Sequence, residues 1–370
     1  MCLRVFCLLA LLCTALSQDI LSQEKGTPGK DDVIRVETQL VNVPIAVVDA
    51  KGVPLRTLKS SNFVIYEDGK PQEIADFAAT SAPFEVALLL DTSGSTRNDL
   101  RLIQRAAQDF VASMRPGDRV AIIAYNTERS DGLAHATSEM LTRLTDDRTL
   151  LKGAVERMST SNGTPYYDSL VQVAEKIFSQ RPADQFRGRR ALVALTDGVD
   201  STSAFDFALA KEELGQVGVI SFFIKVDTRE FFEEGLLGDC EVATRFSSAQ
   251  IRRYYRSIAS KPNMEKAASF CQLGDFERLA ISKRLYEVAD TEMTELANAS
   301  GGKVFPVGDL SEARIAFKRV ADEIGTSYTL GYYPTNDKKD GTHRTIKVEL
   351  KGLPKGTEVR AREGYTAPSN

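Results

Sequence analysis

Histidine is the scarcest reactive residue in this sequence, and tryptophan does not occur at all. The 370 residues contain two histidines, His135 and His343. A zinc site of the His₃ type cannot be built from them, and a His₂Glu site would need both in one place. A Ser-His-Asp triad would also have to use one of the two. These counts weigh against zinc chemistry and against a serine hydrolase.

A strong charge imbalance is missing too, because the formal net charge is only −4. Nucleic-acid-binding proteins usually have an excess of positive charge, which this chain lacks. We therefore do not expect nucleic acid as a partner. The sequence has no Gly-x-Ser-x-Gly elbow and no glycine-rich phosphate loop. The segment DTSGST resembles the aspartyl-phosphate motif of phosphatases, but Ser93 stands where that chemistry needs a second carboxylate. We therefore predict that the chain is not an enzyme.

Apolar runs that could stay in a bilayer are also lacking. Near the N-terminus, Arg4 precedes the short run VFCLLALLC, and Ala15 and Ser17 supply the small residues of a cleavage site. We predict a secretory signal at residues 1–17 and a disordered leader at 18–31, with export to the periplasm or the exterior. No later segment is long and apolar enough to cross a membrane.

Cysteine is rare as well, and three of the five cysteines would leave with the signal. Cys240 and Cys271 remain. In an oxidising compartment such a pair predicts one disulfide, closing a loop of about 30 residues. Two buried free thiols are the alternative.

Residues 84–325 alternate nearly continuous apolar segments with helical patterns. FEVALLLD, VAIIAY, ALVALTD, VGVISFFIKV and GGKVFPV are typical of strands that are buried on both faces of a parallel sheet. Between them, apolar residues recur at helical spacing. This order predicts an α/β fold with an open, mainly parallel, doubly wound sheet. The polar stretch around His135 is predicted to be a connection.

One segment of this region, residues 228–282, is far too long for an ordinary strand-to-helix connection. It holds both remaining cysteines, an acidic stretch and the basic, aromatic stretch IRRYYRS. We interpret it as a packed insertion that contains helices. A surface for a partner is the alternative.

The two flanks, 32–80 and 326–370, show the alternation of β strands instead. Each flank has about 45 residues, near the size below which a hydrophobic core needs support. We therefore predict that they combine into one antiparallel, Ig-like β-sandwich, with two separately docked small sheets as the alternative. Pro44 favours an edge position for its strand, because proline lacks the N–H that a ladder uses.

Oxygen-bearing side chains occur in three segments that lie at the carboxyl ends of the predicted parallel strands or in the loops beside them. DTSGST supplies Asp91, Ser93 and Ser95 at alternate positions of a tight turn, NGTPYYD supplies Thr164, and LTDGVD supplies Asp197. In open α/β sheets, ligands bind at the carboxyl ends of the strands, where these segments are predicted to meet. Two carboxylates and three hydroxyls, without thiolate or imidazole, suit Mg²⁺, with Mn²⁺ or Ca²⁺ as alternatives.

Each of these residues also has a purely structural interpretation. The aspartates and serines could be ordinary turn residues, and Thr164 could cap the helix that Pro165 begins. The agreement among three separate segments favours the metal site.

The three segments together resemble the von Willebrand factor type A domain. Asp-x-Ser-x-Ser matches at Asp91, Ser93 and Ser95, the threonine of the second loop at Thr164, and the aspartate of the third loop at Asp197. In that family these residues form the metal-ion-dependent adhesion site. The resemblance covers about residues 84–325. It implies cation-dependent binding of a protein partner that offers a carboxylate.

Two flanking segments make the resemblance more specific: VVDAKGVPLRTLKSSNFVIYEDGKPQEI and YTLGYYPTNDKKDGTHRTIKVEL. With the DTSGST core, they resemble the exported bacterial "VWFA-related" family found in acidobacteria, from which the 228–282 insertion departs. The expected function is an adhesion or scaffold module. A structural envelope module whose metal only stabilises the fold is the first alternative, and a Mg²⁺-dependent hydrolase is the second.

Overall fold

The computed structural model describes residues 40–79, 81–130, 132–241, 243, 245–258 and 270–369, without the side chains of Ser95, Arg97 and Asn98. The predicted signal (1–17), the predicted leader (18–31) and the start of the N-terminal β segment lie outside these residues. So does part of the predicted insertion.

Strands and helices alternate along the middle of the chain, and strands dominate both of its flanks. The strands are β1 (Val41–Val48), β2 (Phe63–Glu67), β3 (Lys70–Gln72), β4 (Ile74–Ala78), β5 (Glu85–Leu90), β6 (Arg119–Ser130), β7 (Leu133–Thr145), β8 (Arg190–Thr196), β9 (Ile220–Val226), β10 (Lys303–Val307), β11 (Tyr328–Tyr332), β12 (His343–Leu350), β13 (Glu358–Ala361) and β14 (Gly364–Thr366). The helices are α1 (Leu100–Ser113), α2 (Arg148–Glu156), α3 (Tyr166–Gln172), α4 (Phe207–Val217), α5 (Arg229–Leu236), α6 (Ser248–Ile258), α7 (Asp275–Ser300) and α8 (Ala313–Thr326).

The central sheet has the strand order β10-β9-β8-β5-β6-β7. Its pairs are parallel except for β6 with β7. Every residue of β5 and β8 is buried, as expected for strands covered on both faces. The predicted fold class, a mainly parallel α/β sheet with flanking antiparallel strands, is confirmed. The predicted connection around His135 is wrong, because this stretch forms the antiparallel edge strand β7.

Helices cover the two faces of this sheet. On one face α1, α2 and α8 share a core with the strands, and the rings of Phe110 and Phe317 lie 5.2 Å apart there. On the other face the core is shared with α3, α4, α6 and α7. Local sequence sets the helix ends: Asp206 accepts a hydrogen bond from Leu209 N at the start of α4, and Gly218 ends α4 with φ of 66°.

Strands from both ends of the chain form two further antiparallel sheets, with the orders β13-β1-β11-β4 and β14-β12-β2-β3. One hydrophobic core lies between them, with Val43, Phe63, Leu330 and Val348 among its members. The edge position expected for Pro44 is wrong, because β1 lies between β11 and β13. The pairing with β13 begins only at Ile45, one residue after the proline.

Arg189 joins this sandwich to the central sheet. Its guanidinium donates to Ala82 O and Pro83 O, in the link that leads into β5, at 2.8 and 3.2 Å. It also donates to Ser327 O, between α8 and β11, at 3.1 Å. The guanidinium carbon lies 4.1 Å from the ring centroid of Phe84. Because Arg189 directly precedes β8, the junction lies at the amino ends of the parallel strands.

The described residues between β9 and α7 pack on the face that α3 and α4 cover. A disulfide joins Cys240 to Cys271 within it. The buried Arg278 donates to Leu236 O at 2.8 Å and to Gly238 O at 3.0 Å, which fixes the end of α5 against α7.

Candidate metal centre

The first loop of the candidate site begins where β5 ends. The backbone N–H of Asp91 donates to Leu195 O on β8 at 2.9 Å, so the strand pairing continues into the loop. The carboxylate of Asp91 is buried. Its Oδ1 accepts from Ser93 N at 3.0 Å, and its Oδ2 accepts from Thr196 Oγ1 at 2.8 Å. Asp91 is thereby fixed between two neighbouring strands.

The DTSGST turn is tightened by Thr96. The Thr96 hydroxyl donates to Asp91 O at 3.2 Å and to Ser93 O at 3.0 Å. Ser93 is buried, and a 3₁₀ turn over Gly94–Asp99 leads into α1. Ser95 lies in this turn, but its side chain is outside the described part of the chain. The structure therefore places two of the three predicted ligands of this loop.

Thr164 lies in the second loop, just before α3, and is nearly buried. Its backbone N–H donates to Ser201 Oγ at 2.8 Å, and its carbonyl accepts from Ser201 N at 2.9 Å. The residue at the N-cap of α3 is Pro165, and no side chain caps this helix. The side chain of Thr164 therefore does not cap α3, and the alternative interpretation of this residue as an ordinary helix cap is wrong.

Asp197 follows the last residue of β8 and is buried. Its Oδ1 accepts from Val199 N at 2.9 Å, and its Oδ2 accepts from Thr228 Oγ1 at 2.5 Å. The next residue, Gly198, has φ of 74°, and a Cβ there would lie 2.9 Å from Met293 Cε. Glycine is favoured at this position because its φ lies in the left-handed region, which side chains rarely adopt, whereas the contact involves the flexible end of Met293, which can move.

Hydrogen bonds between the loops hold the three segments at one edge of the sheet. Ser161 N donates to Thr92 O at 2.7 Å and joins the second loop to the first. The bonds between Thr164 and Ser201 join the second loop to the third, and the bond from Thr196 to Asp91 joins the third to the first. The predicted site residues thus come from loops that are in direct contact at the carboxyl ends of β5 and β8.

Burial raises the pKa of Asp91 above its usual range, although hydrogen bonds from Ser93 and Thr196 oppose this shift. Burial raises the pKa of Asp197 too, and the charge of nearby Asp91 raises it further. Within the described ranges, no lysine, arginine or histidine forms an ion pair with either carboxylate. Two buried carboxylates without a cationic partner are costly, and a bound cation would remove most of that cost.

The available side chains fit a hard divalent cation. Across the residues that the structure describes, no three His, Cys, Asp or Glu side chains gather in a way that could hold a metal ion. Any ion at this edge would therefore depend on the hydroxyls of Ser93, Ser95 and Thr164 as well as on the two carboxylates. Such all-oxygen shells, which keep some water, are typical of Mg²⁺.

A comparison with protein families matches residues 86–199 to the von Willebrand factor type A domain. This match begins in β5 and ends just after Asp197, so it spans all three loops. The chain carries a von Willebrand factor type A domain. Domains of this family commonly mediate contacts between proteins.

Several solved structures are similar to this chain at low sequence identity. One is a von Willebrand factor type A protein from Catenulispora acidiphila, at 13% identity and a TM-score of 0.42, covering 90% of this chain and 75% of that one. Another is proximal thread matrix protein 1 from the mussel byssus, at 15% identity and a TM-score of 0.42. That match covers 74% of this chain, which spans about half (51%) of the byssus protein. No curated protein sequence matches this chain.

Residues outside the predicted set support the loops of the von Willebrand domain at this edge of the sheet. Thr228, at the start of the insertion, donates to Asp197, and its hydroxyl lies 2.9 Å from Tyr286 OH. Arg253 of α6 donates to the buried carboxylate of Asp200 at 2.9 Å. Its guanidinium carbon also lies 4.9 Å from the ring centroid of Tyr167. The insertion therefore contacts the third loop on two sides.

The sequence offered a signal for only some of these residues. Thr196 is adjacent to Asp197, and a hydroxyl at the end of a buried strand could have been suspected. Thr228 and Arg253 reach the loop only through the fold of the insertion, so their spacing carries no such signal. Asp200 has a structural role, because its carboxylate accepts from Tyr166 N at 3.0 Å.

Proposed function

We propose that this chain is an exported, divalent-cation-dependent module that binds protein partners, as in adhesion or scaffolding. Its metal-ion-dependent adhesion site consists of Asp91, Ser93, Ser95, Thr164 and Asp197. Mg²⁺ is the proposed cation, with Mn²⁺ or Ca²⁺ as substitutes, and the partner offers a carboxylate. The general part of this proposal, binding of proteins, is what von Willebrand domains commonly do.

The observation that carries the proposal is the pair of neighbouring buried carboxylates, Asp91 and Asp197, with which no lysine, arginine or histidine among the described residues forms an ion pair. A purely structural role would favour neutral side chains at both positions, because ionised groups are expensive to bury. Asparagine or serine could make the same turn hydrogen bonds at lower cost. Two carboxylates at these buried positions are best explained by a bound cation.

The surrounding residues orient the ligands and limit the charge of the site. Thr196 and Ser93 N fix the carboxylate of Asp91, and Thr228 occupies one oxygen of Asp197. The protein thus contributes at most two negative charges. Mg²⁺ held here would keep a net positive charge and a coordination position that a partner carboxylate can fill.

The position of the β-sandwich suits this role. The sandwich meets the central sheet near Arg189, at the amino ends of the parallel strands. The three loops that carry Asp91, Thr164 and Asp197, called the metal loops below, lie at the carboxyl ends of the same strands. The sandwich therefore does not cover the proposed binding edge.

Export to the periplasm or the exterior rests on residues 1–17, which lie outside the described residues. The disulfide between Cys240 and Cys271 supports an oxidising compartment, since such bonds are rare in the cytosol. In the part of the chain that the structure covers, no helix has the length and apolar sequence needed to span a membrane.

The proposed function predicts that capture of a protein partner depends on the cation. Immobilised wild-type protein should retain a partner from an envelope extract in Mg²⁺, release it in EDTA and bind it again when Mg²⁺ is restored. An immobilised Asp109→Ala variant, altered at an exposed ion pair on α1, is the matched control and should behave like the wild type. Capture that resists EDTA would place the contact elsewhere on the molecule.

A further inference from the structure

Two tyrosine hydroxyls are buried beneath the metal loops without a hydrogen-bond partner. Tyr125 is 1% exposed and Tyr166 is 0% exposed, and no described residue hydrogen-bonds to either hydroxyl. Tyr125 OH approaches Thr196 without the geometry of a hydrogen bond. Buried hydroxyls are nearly always paired, so an unpaired couple in one place calls for an explanation.

The fold places both tyrosines directly beside the site. Leu90 of β5 pairs with Ala124 of β6, so Tyr125 is the next residue along, next to Asp91. Its carbonyl accepts from Thr92 Oγ1 at 2.6 Å, which fixes this register. Tyr166 is the first residue of α3, and its backbone N–H donates to Asp200 in the third loop. Both rings belong to one hydrophobic core.

The electrostatics of the two phenols agree with this placement. Burial raises the pKa of Tyr125 well above its usual value, and the charges of Asp91, Asp197 and the neighbouring Tyr166 raise it further. The pKa of Tyr166 is raised by burial and by charges that include Asp197 and Asp200. A phenol is protonated at neutral pH, so each hydroxyl has a proton to donate.

The two carboxylates have acceptor capacity left for these donors. Asp197 accepts one hydrogen bond on each oxygen, from Val199 N and Thr228. Asp91 accepts from Ser93 and Thr196. An ionised carboxylate offers about four acceptor positions. Unused donors and unused acceptors thus lie in the same buried layer.

We propose that Tyr125 and Tyr166 are positioning residues of the metal site: through ordered water, their hydroxyls donate hydrogen bonds to Asp91 and Asp197. These bonds hold both carboxylates in the orientation that a hard cation needs. The inference rests on the metal site of the proposed function, but it does not depend on the identity of the partner. Buried water with two to four polar partners is a regular component of such polar pockets.

The test compares Tyr125→Phe, Tyr166→Phe and the control Tyr328→Phe. Tyr328 lies in the sandwich, where its hydroxyl accepts from Leu58 N at 3.0 Å and donates to Leu55 O at 2.8 Å. Isothermal titration gives the Mg²⁺ affinity of each variant, and urea unfolding in EDTA gives its metal-free stability. These readouts separate an effect on the site from an effect on the fold.

Each site variant is expected to bind Mg²⁺ about tenfold more weakly than wild type, because a hydrogen bond to a charged group is lost. Its urea midpoint in EDTA should fall about as much as that of Tyr328→Phe, because each variant loses one buried hydroxyl donor. Tyr328→Phe should keep the Mg²⁺ affinity of wild type. Unchanged Mg²⁺ affinity in both site variants overturns the proposal.

A high-resolution crystal structure of the metal-free wild type keeps this inference separate from the proposed function. Ordered water within hydrogen-bond distance of the hydroxyls and the carboxylates supports the positioning role, even if wild type takes up no Mg²⁺. If no ordered water lies within hydrogen-bond distance of either hydroxyl, the inference is wrong. Failure of wild type to bind Mg²⁺ counts against the proposed function.

Discussion

Replacing Asp91 by asparagine is expected to stabilise the metal-free protein and to abolish its response to Mg²⁺. In EDTA the substitution removes one of two buried, mutually repelling charges, while the amide can still accept from Ser93 N. We expect the free energy of unfolding to rise by about 1 kcal/mol at neutral pH, the size of a shift of one pKa unit. Urea unfolding measures this change.

With Mg²⁺ present, wild type should become more stable to unfolding than Asp91→Asn. A ligand at a hundredfold excess over its Kd stabilises the folded state by about 2.7 kcal/mol, and wild type should gain this amount. Asp91→Asn should gain nothing, because the ion loses a charged ligand. Asp109→Asn, at an exposed pair on the surface of α1, is the control and should respond like wild type. A full Mg²⁺ response in Asp91→Asn would show that Asp91 is not a ligand.

Replacing Arg189 by methionine is expected to cost about 4 kcal/mol of stability. The side chain is fully buried, and its removal takes the guanidinium donor from the carbonyls of Pro83 and Ser327, whereas Ala82 O keeps its hydrogen bond from Arg115. Methionine also loses the contact of the guanidinium with the ring of Phe84. Because both links to the sandwich are affected, the whole unfolding transition should shift to lower urea.

Arg187→Met provides the matched control for this prediction. Arg187 lies two residues earlier and pairs with Asp184, whose side chain is 90% exposed. Exposed pairs contribute little, so a change of at most about 0.5 kcal/mol is expected. A similar loss of stability in both variants would contradict the role of Arg189 as the link between the two parts.

Buried parallel strands could be predicted from the sequence because their environment leaves a direct trace in it. FEVALLLD and ALVALTD are apolar throughout, since β5 and β8 have helices on both faces. The edge strand β7 has no such trace. Its residues are mostly half-exposed or exposed, and polar and apolar side chains do not alternate regularly. The edge position predicted for Pro44 is wrong because a strand inside a sheet can contain a proline where its pairing with the second neighbour has not yet begun. Here the pairing of β1 with β13 begins at Ile45, just after the proline.

The site residues that directly follow a buried strand could be predicted from the sequence. Asp91 and Asp197 each follow a buried strand, and the parallel pairing of β5 with β8 brings them to the same edge. Their supporting residues could not be predicted in this way. Thr228, Arg253 and Tyr125 reach the loops through tertiary packing, which periodicity along the chain does not record.

The most direct test of the proposed metal site is a crystal structure of the protein soaked in Mn²⁺, measured for anomalous scattering. Mn²⁺ shares the preference of Mg²⁺ for oxygen ligands. We expect one strong anomalous peak at the edge formed by the DTSGST turn, the Thr164 loop and the Asp197 loop. Oxygens of Asp91 and Ser93 should lie within about 2.5 Å of it, directly bonded to the ion. No peak at this edge, or a peak only elsewhere, would contradict the account.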